Sequence, residues 1–188
     1  MFRVTVNNTK SRTIFISEPY NINMKELNLV FKGLAPYSVN NTHYKSGRRK
    51  VTFRKWVEGI QLQLCQYEKE IDSFVTNICN KTTFLTIQII HVMPEKKFFT
   101  GAKNNGGISL QTKDLSNVEK PLIDAIFDKR YDGRKFEYLS SKEKVKTLCV
   151  DDKLIVDLRS RKMPSSKTAF LISVKIQCHK LEEIEYWD

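Results

Sequence analysis

Short alternating runs of apolar and polar residues punctuate this chain, and two longer stretches repeat apolar residues every three to four positions. Leu27-Asn28-Leu29-Val30-Phe31 alternates and predicts a strand. From Thr52 to about Ile78, Phe53, Trp56, Val57, Ile60, Leu64 and Tyr67 recur at helical spacing. Gly59 weakens that helix a little, and Asn80-Lys81 ends it. Phe84 to Val92 is rich in β-branched residues and reads as a strand, with His91 a structural residue at its end. A second helix is predicted from near Ser116. Its apolar face is Val118, Leu122, Ala125 and Ile126, and Asn117, Lys120 and Asp124 lie opposite. Ser116-Asn117-Val118-Glu119 has the form of a capping box with Ser116 as N-cap, and Pro121 sacrifices one early backbone bond. Leu148 to Leu158 reads as a strand or turn-strand carrying acids, broken by Lys162-Met163-Pro164. Ser165-Ser166-Lys167 is a turn, and Ala169 to Ile176 is the last strand.

Between these elements lie segments of turn composition. Gly33 to Asn41 and Pro94 to Gly107 read as loops. Residues 129–147 are polar and lysine-rich, an insertion with a short helix expected around Ser141–Lys146. Residues 1–26 read as an N-terminal extension with a possible hairpin, and the acidic tail from Leu181 to Asp188 as partly loose. The order strand, helix, strand, helix, strand, strand predicts an α+β protein, a mixed β-sheet with helices packed on it, in one domain over 27–188.

Charge narrows the function classes. Thirty-two Lys and Arg against twenty-one Asp and Glu give a net charge of +11, which points to a polyanionic partner, most simply nucleic acid. No apolar run approaches the roughly 18 residues of a membrane span, and the first residues lack a signal-peptide core, so a cytoplasmic protein without membrane contact is expected. The four cysteines form no Cys-x-x-Cys pair and the three histidines are scattered, which argues against structural zinc. Tyr44, Lys45, Arg48 and Arg49 combine an aromatic ring with cations that could clamp phosphates, though the same composition suits a solvated turn. Lys96, Lys97 and Lys103 make the following loop basic.

Two acidic groups stand out against this basic background: Asp114, just ahead of the second helix, and the pair Asp151-Asp152. With them, several pieces fall in a fixed order. They are Pro36-Tyr37-Ser38-Val39-Asn40-Asn41 after a strand, then a strand ending in Met93-Pro94. Asp114-Leu115-Ser116-Asn117-Val118-Glu119-Lys120 follows, and then Asp151-Asp152, Asp157 and Lys162-Met163-Pro164 before a final strand. In this order the sequence resembles the RusA-type Holliday-junction resolvases, small endonucleases common in prophages, over roughly residues 27–180. The resemblance implies a RusA-like fold, a homodimer, a magnesium (or manganese) cofactor and a branched, four-way DNA substrate. It implies catalytic roles for Asp114, Lys120 and Asp152, with Asp114, Asp151, Asp152 and Ser116 around the metal. Asn40 and Asn41, with Tyr44, Lys45, Arg48, Arg49, Lys96, Lys97 and Lys103, would contact DNA. Ser116 stands where the family's motif has a second aspartate, and this leaves a second expectation, a junction-binding relative with little or no cleavage. Asp124, Asp151 or Glu119 could supply the missing carboxylate.

Overall fold

Four strands form the central sheet, and helices cover one of its faces. The computed structural model describes residues 2–6, 12–16, 25–43, 47, 49–76, 78, 81–98, 115–130, 132–136, 144–167, 169–180 and 185–186, with side chains for those from 26 to 180. Near the N-terminus, β1 (Phe2–Val6) pairs antiparallel with β2 (Arg12–Ile16), and β2 pairs in turn with β7 (Glu185–Tyr186). The tail, expected to be loose, thus donates a short strand to the N-terminal pair.

The central sheet has the order β3-β6-β4-β5, from β3 (Lys25–Lys32), β4 (Thr83–Pro94), β5 (Ile155–Ser165) and β6 (Leu171–Lys180). β6 lies antiparallel to both β3 and β4, whereas β4 and β5 run parallel. A parallel pair needs a long crossover, and the chain from 95 to 154, including a helix, provides it. The sheet is therefore mixed, as the sequence predicts.

The pleat explains the burial. Leu27, Leu29 and Phe31 of β3, Leu85, Ile87 and Ile89 of β4, and Ile172, Val174 and Ile176 of β6 share one face and are almost fully buried. Helices α1 (Val51–Leu64), α2 (Glu68–Val75) and α4 (Leu115–Phe127) close over that face with Phe53, Ile60, Leu64, Ile71, Phe74, Leu122 and Ile126. Each such side chain contributes about 1.5–3 kcal/mol of hydrophobic stabilisation before entropy is counted.

Several expectations change. The single helix over 52–78 is two, interrupted by a 3-10 turn at Cys65–Tyr67. The interruption has a use at the free edge of β3. The Tyr67 hydroxyl bonds both the N–H and the C=O of Val30, at 3.2 and 3.3 Å, and the Gln63 amide does the same for Lys32, at 2.7 and 3.1 Å. Side chains thus stand in for the missing neighbouring strand. Lys162-Met163-Pro164 does not break β5, which runs on to Ser165. Proline lacks only an N–H, and an edge strand near its end does not require one. Residues 148–150, expected in that strand, are irregular instead, and Asp152–Leu154 forms a 3-10 turn. The loop after Pro94 opens with a four-residue helix, α3 (Glu95–Phe98). His91 is not at a strand end but well inside β4, on its helix-covered face and 1% exposed.

In α4 the first helical residue is Leu115, so Ser116 lies inside the first turn rather than at the N-cap. The Glu119 carboxylate, expected to close a capping box, accepts a hydrogen bond from Ser160 of β5 instead. Tertiary contact overrides the local motif. Of the 129–147 insertion, the described parts are pinned down: Gly133 N–H bonds Val145 C=O at 2.9 Å, Val145 N–H bonds Arg134 C=O at 2.7 Å, and Lys146 pairs with Asp72 at 2.6 Å. The helix expected around Ser141–Lys146 begins outside the described residues, and Lys144 to Lys146 are not helical.

Candidate functional site

Helix α4 carries a polar stripe opposite its buried face. Ser116, Lys120, Asp124 and Asp128 follow at intervals of four and so share one side. Lys120 Nζ reaches Asp124 Oδ1 at 3.1 Å. Lys120 is well exposed and Asp124 partly so, and the pair contributes at most a few tenths of a kcal/mol. Its sense is more informative than its strength. The last turn of α4 holds no basic residue, and it carries Asp124, with Asp128 immediately beyond. Carboxylates at the negative end of a helix dipole are unfavourable. Each is answered by a neighbouring cation, Asp124 by Lys120 and Asp128 by Arg130.

Those acids face a cleft of about 350 Å³. Asp124 and Asp128 line it from the end of α4, and Asp151 and Asp152 from the segment before β5. That segment is shaped by Cys149, the one non-glycine with positive φ (55°) among the described residues. A left-handed residue there costs on the order of 1 kcal/mol and redirects the chain toward the cleft. Partial burial, above all, raises the Cys149 thiol from its ordinary pKa, although the residue as a whole is exposed. Asp151 Oδ1 accepts from Lys153 N–H at 3.0 Å and so caps the 3-10 turn that presents Asp152, which is exposed.

Asp128 is gripped by Arg130. The guanidinium Nε donates to both carboxylate oxygens at 2.9 Å, Nη2 donates to Oδ2 at 2.6 Å, and the Arg130 backbone N–H adds a bond at 2.9 Å. Partial burial disfavours the charged carboxyl, but the Arg130 bonds and the charge of Arg49 outweigh it and hold Asp128 below the usual carboxylate range. Hydrogen bonding to Asp128 correspondingly raises Arg130 above its ordinary value.

Asn40 and Asn41 sit exposed in a 3-10 turn, Val39–Asn41, that packs against α4. Below it, Tyr37 bonds Thr52 Oγ1 at 2.9 Å and Asn41 C=O at 3.3 Å, and its ring packs on Phe53 and Trp56. An antiparallel bridge from His43 to Arg49 and a 2.8 Å bond from Lys50 N–H to Thr42 C=O close the next loop at its base. Arg49 lies over the Phe53 ring at 5.9 Å. Lys96 and Lys97 are exposed on α3, which packs against β4 and β5. Ser116 is exposed in the first turn of α4 and does not line the cleft. Asp114, Tyr44, Lys45, Arg48 and Lys103 lie outside the described residues.

Asp124, Asp151 and Asp152 thus line one cleft, with Lys120 one turn away along α4. Asp128 and Arg130 were not anticipated. The signal that could have found them is acids placed at the C-terminal end of a helix, followed at once by Lys129-Arg130. Among the described residues, no three His, Cys, Asp or Glu side chains converge to hold an ion by themselves. Magnesium makes a weaker demand, since it keeps several waters and takes one or two carboxylates. Asp152 with Asp124 or Asp151 fits that requirement in donor chemistry. No family model matches the chain, and no curated protein matches it closely.

Proposed function

We propose that the chain is a divalent-metal-dependent endonuclease acting on branched, four-way DNA, built as a RusA-like protein and working as a homodimer in the cytoplasm. The observation that carries this reading is the cleft that Asp124 shares with Asp151 and Asp152, acids from two distant segments, on a chain of net charge +11. Carboxylates lining one cleft of a basic protein suit a cation bound against a phosphate. Asp152 would hold magnesium or manganese, with Asp124, Asp151 and, if the family's motif applies, Asp114 contributing. Such an ion, when bound, supplies a Lewis acid for the scissile phosphate and lowers the pKa of an attacking water. Lys120, released from Asp124, would offset charge on the phosphate. Asn40, Asn41 and Arg49 would position the backbone beside the cleft. A two-fold dimer would set one such cleft on each of two strands of a nearly two-fold junction.

Purified protein with magnesium should nick a synthetic four-way junction on opposing strands. Asp152→Asn should lower the rate by at least about 10–100-fold, the loss typical even of a residue that only supports a metal ligand. Junctions left intact after long incubation with magnesium or manganese would refute the reading. Ser116 favours a second reading, a junction-binding protein that does not cut. In that case binding is metal-independent and falls steeply with salt, and Ser116→Asp gains cleavage.

A further inference from the structure

Asp128 has no place in the resemblance, yet it lines the same cleft. Its side chain is only 11% exposed and lies just past the negative end of α4, where a carboxylate is doubly disfavoured. Two arginines answer it from different segments. Arg130 comes from the turn directly after the helix and grips it side-on. Arg49 comes from the base of the basic loop and acts on it electrostatically, its guanidinium steadied over the Phe53 ring. Arg130 spends Nε and Nη2 on Asp128, and its side chain remains 69% exposed where it lines the cleft. A guanidinium has five N–H donors in a fixed plane, so a carboxylate on one edge orients the donors on the other.

We infer that Asp128 is a positioning residue that holds Arg130 as a clamp for a phosphodiester oxygen at the cleft that both residues line. The clamp takes the phosphate backbone of nucleic acid and reads no base. It rests on the reading of this cleft as a DNA site but not on cleavage. It also separates the roles of neighbouring acids: Asp128 serves Arg130, and Asp124, Asp151 and Asp152 remain for a cation.

The test uses the full-length protein in EDTA, with a fluorescent oligothymidylate and, separately, a four-way junction as probes. Arg130→Lys keeps the charge and loses the fork, and the residue is exposed, so folding is not at stake. Its affinity should fall about tenfold, the size of a lost charge-assisted bidentate contact. Asp128→Asn is the sharper variant. Deleting a negative charge beside DNA should tighten binding if only net charge matters, whereas loss of the orienting carboxylate should weaken it severalfold. Weaker binding by both variants, with the Arg130 Nε–H resonance of the wild type shifted on adding oligothymidylate, supports the clamp. Unchanged affinity for Arg130→Lys, or tighter binding by Asp128→Asn, overturns it and leaves Arg130–Asp128 a helix-end ion pair. If the wild type cuts junctions while these variants bind normally, the clamp falls and the nuclease reading stands. If the wild type never cuts but both variants lose oligothymidylate, the nuclease reading falls and the clamp stands.

Discussion

His91 should make this protein acid-sensitive. The ring is 1% exposed on the helix-covered face of β4, and neither nitrogen has a hydrogen-bond partner. Burial first, and then the nearby charge of Lys162, pushes its pKa down to about 4. In the unfolded chain the imidazole titrates near its ordinary value of about 6.5. Between those two values the unfolded state binds the proton and the folded state does not, so stability rises with pH across that window. The contribution is fully present above about pH 6.5, is lost as pH falls, and is gone near pH 4. A difference of about 2.5 pKa units amounts to about 3 kcal/mol over the whole window, and most of it is lost between about pH 7.5 and 4.5. Urea denaturation of the wild type and of His91→Leu at those two pH values measures it. Acid effects from the other groups are common to both proteins and cancel in the difference. The wild type should lose about 2–3 kcal/mol more than the variant on acidification. Near neutral pH His91→Leu should be as stable as the wild type or more so by about 1 kcal/mol, because leucine removes two unsatisfied buried nitrogens at similar volume. Parallel pH profiles for the two proteins would refute the account and mean that the ring finds a proton acceptor or water in solution.

The remaining predictions concern the scaffold. Leu122 is fully buried between α4 and the sheet, so Leu122→Ala should cost about 2–5 kcal/mol by thermal or urea unfolding. Gln63→Ala combined with Tyr67→Phe should cost about 1–2 kcal/mol and uncover the β3 edge. Increased self-association by light scattering is the expected readout, and a double variant as monodisperse as the wild type would contradict the sealing role. The Glu119–Ser160 contact ties the first turns of α4 to β5. A double-mutant cycle with Glu119→Ala and Ser160→Ala should give a coupling of about 1 kcal/mol or more, and zero coupling would mean the contact does not form in solution.

Elements governed by local periodicity are legible in the residue pattern alone. Strand β4 announces itself through β-branched residues, and α4 through Val118, Leu122, Ala125 and Ile126, all of which are buried as expected. Element ends are less legible, since they depend on partners far away. Glu119 reads as a capping residue until Ser160, 41 positions on, claims it. Tyr67 reads as part of one long helix until the β3 edge requires its hydroxyl. Pro164 reads as a strand breaker because nothing local says that β5 is an edge.

The candidate site divides in the same way. Lys120 and Asp124 are visible as helix neighbours four apart, and the excess of basic residues is visible by counting. Charge, apolar faces and the spacing within each element are thus written in the order of residues, because they depend on near neighbours along the chain. That Asp124 lines one cleft with Asp151 and Asp152 follows only once β5 docks in parallel beside β4 and brings the segment before it to the end of α4. Such contacts join segments tens of residues apart, and their loop-closure entropy is repaid by the whole core at once, so no short window of the chain encodes them.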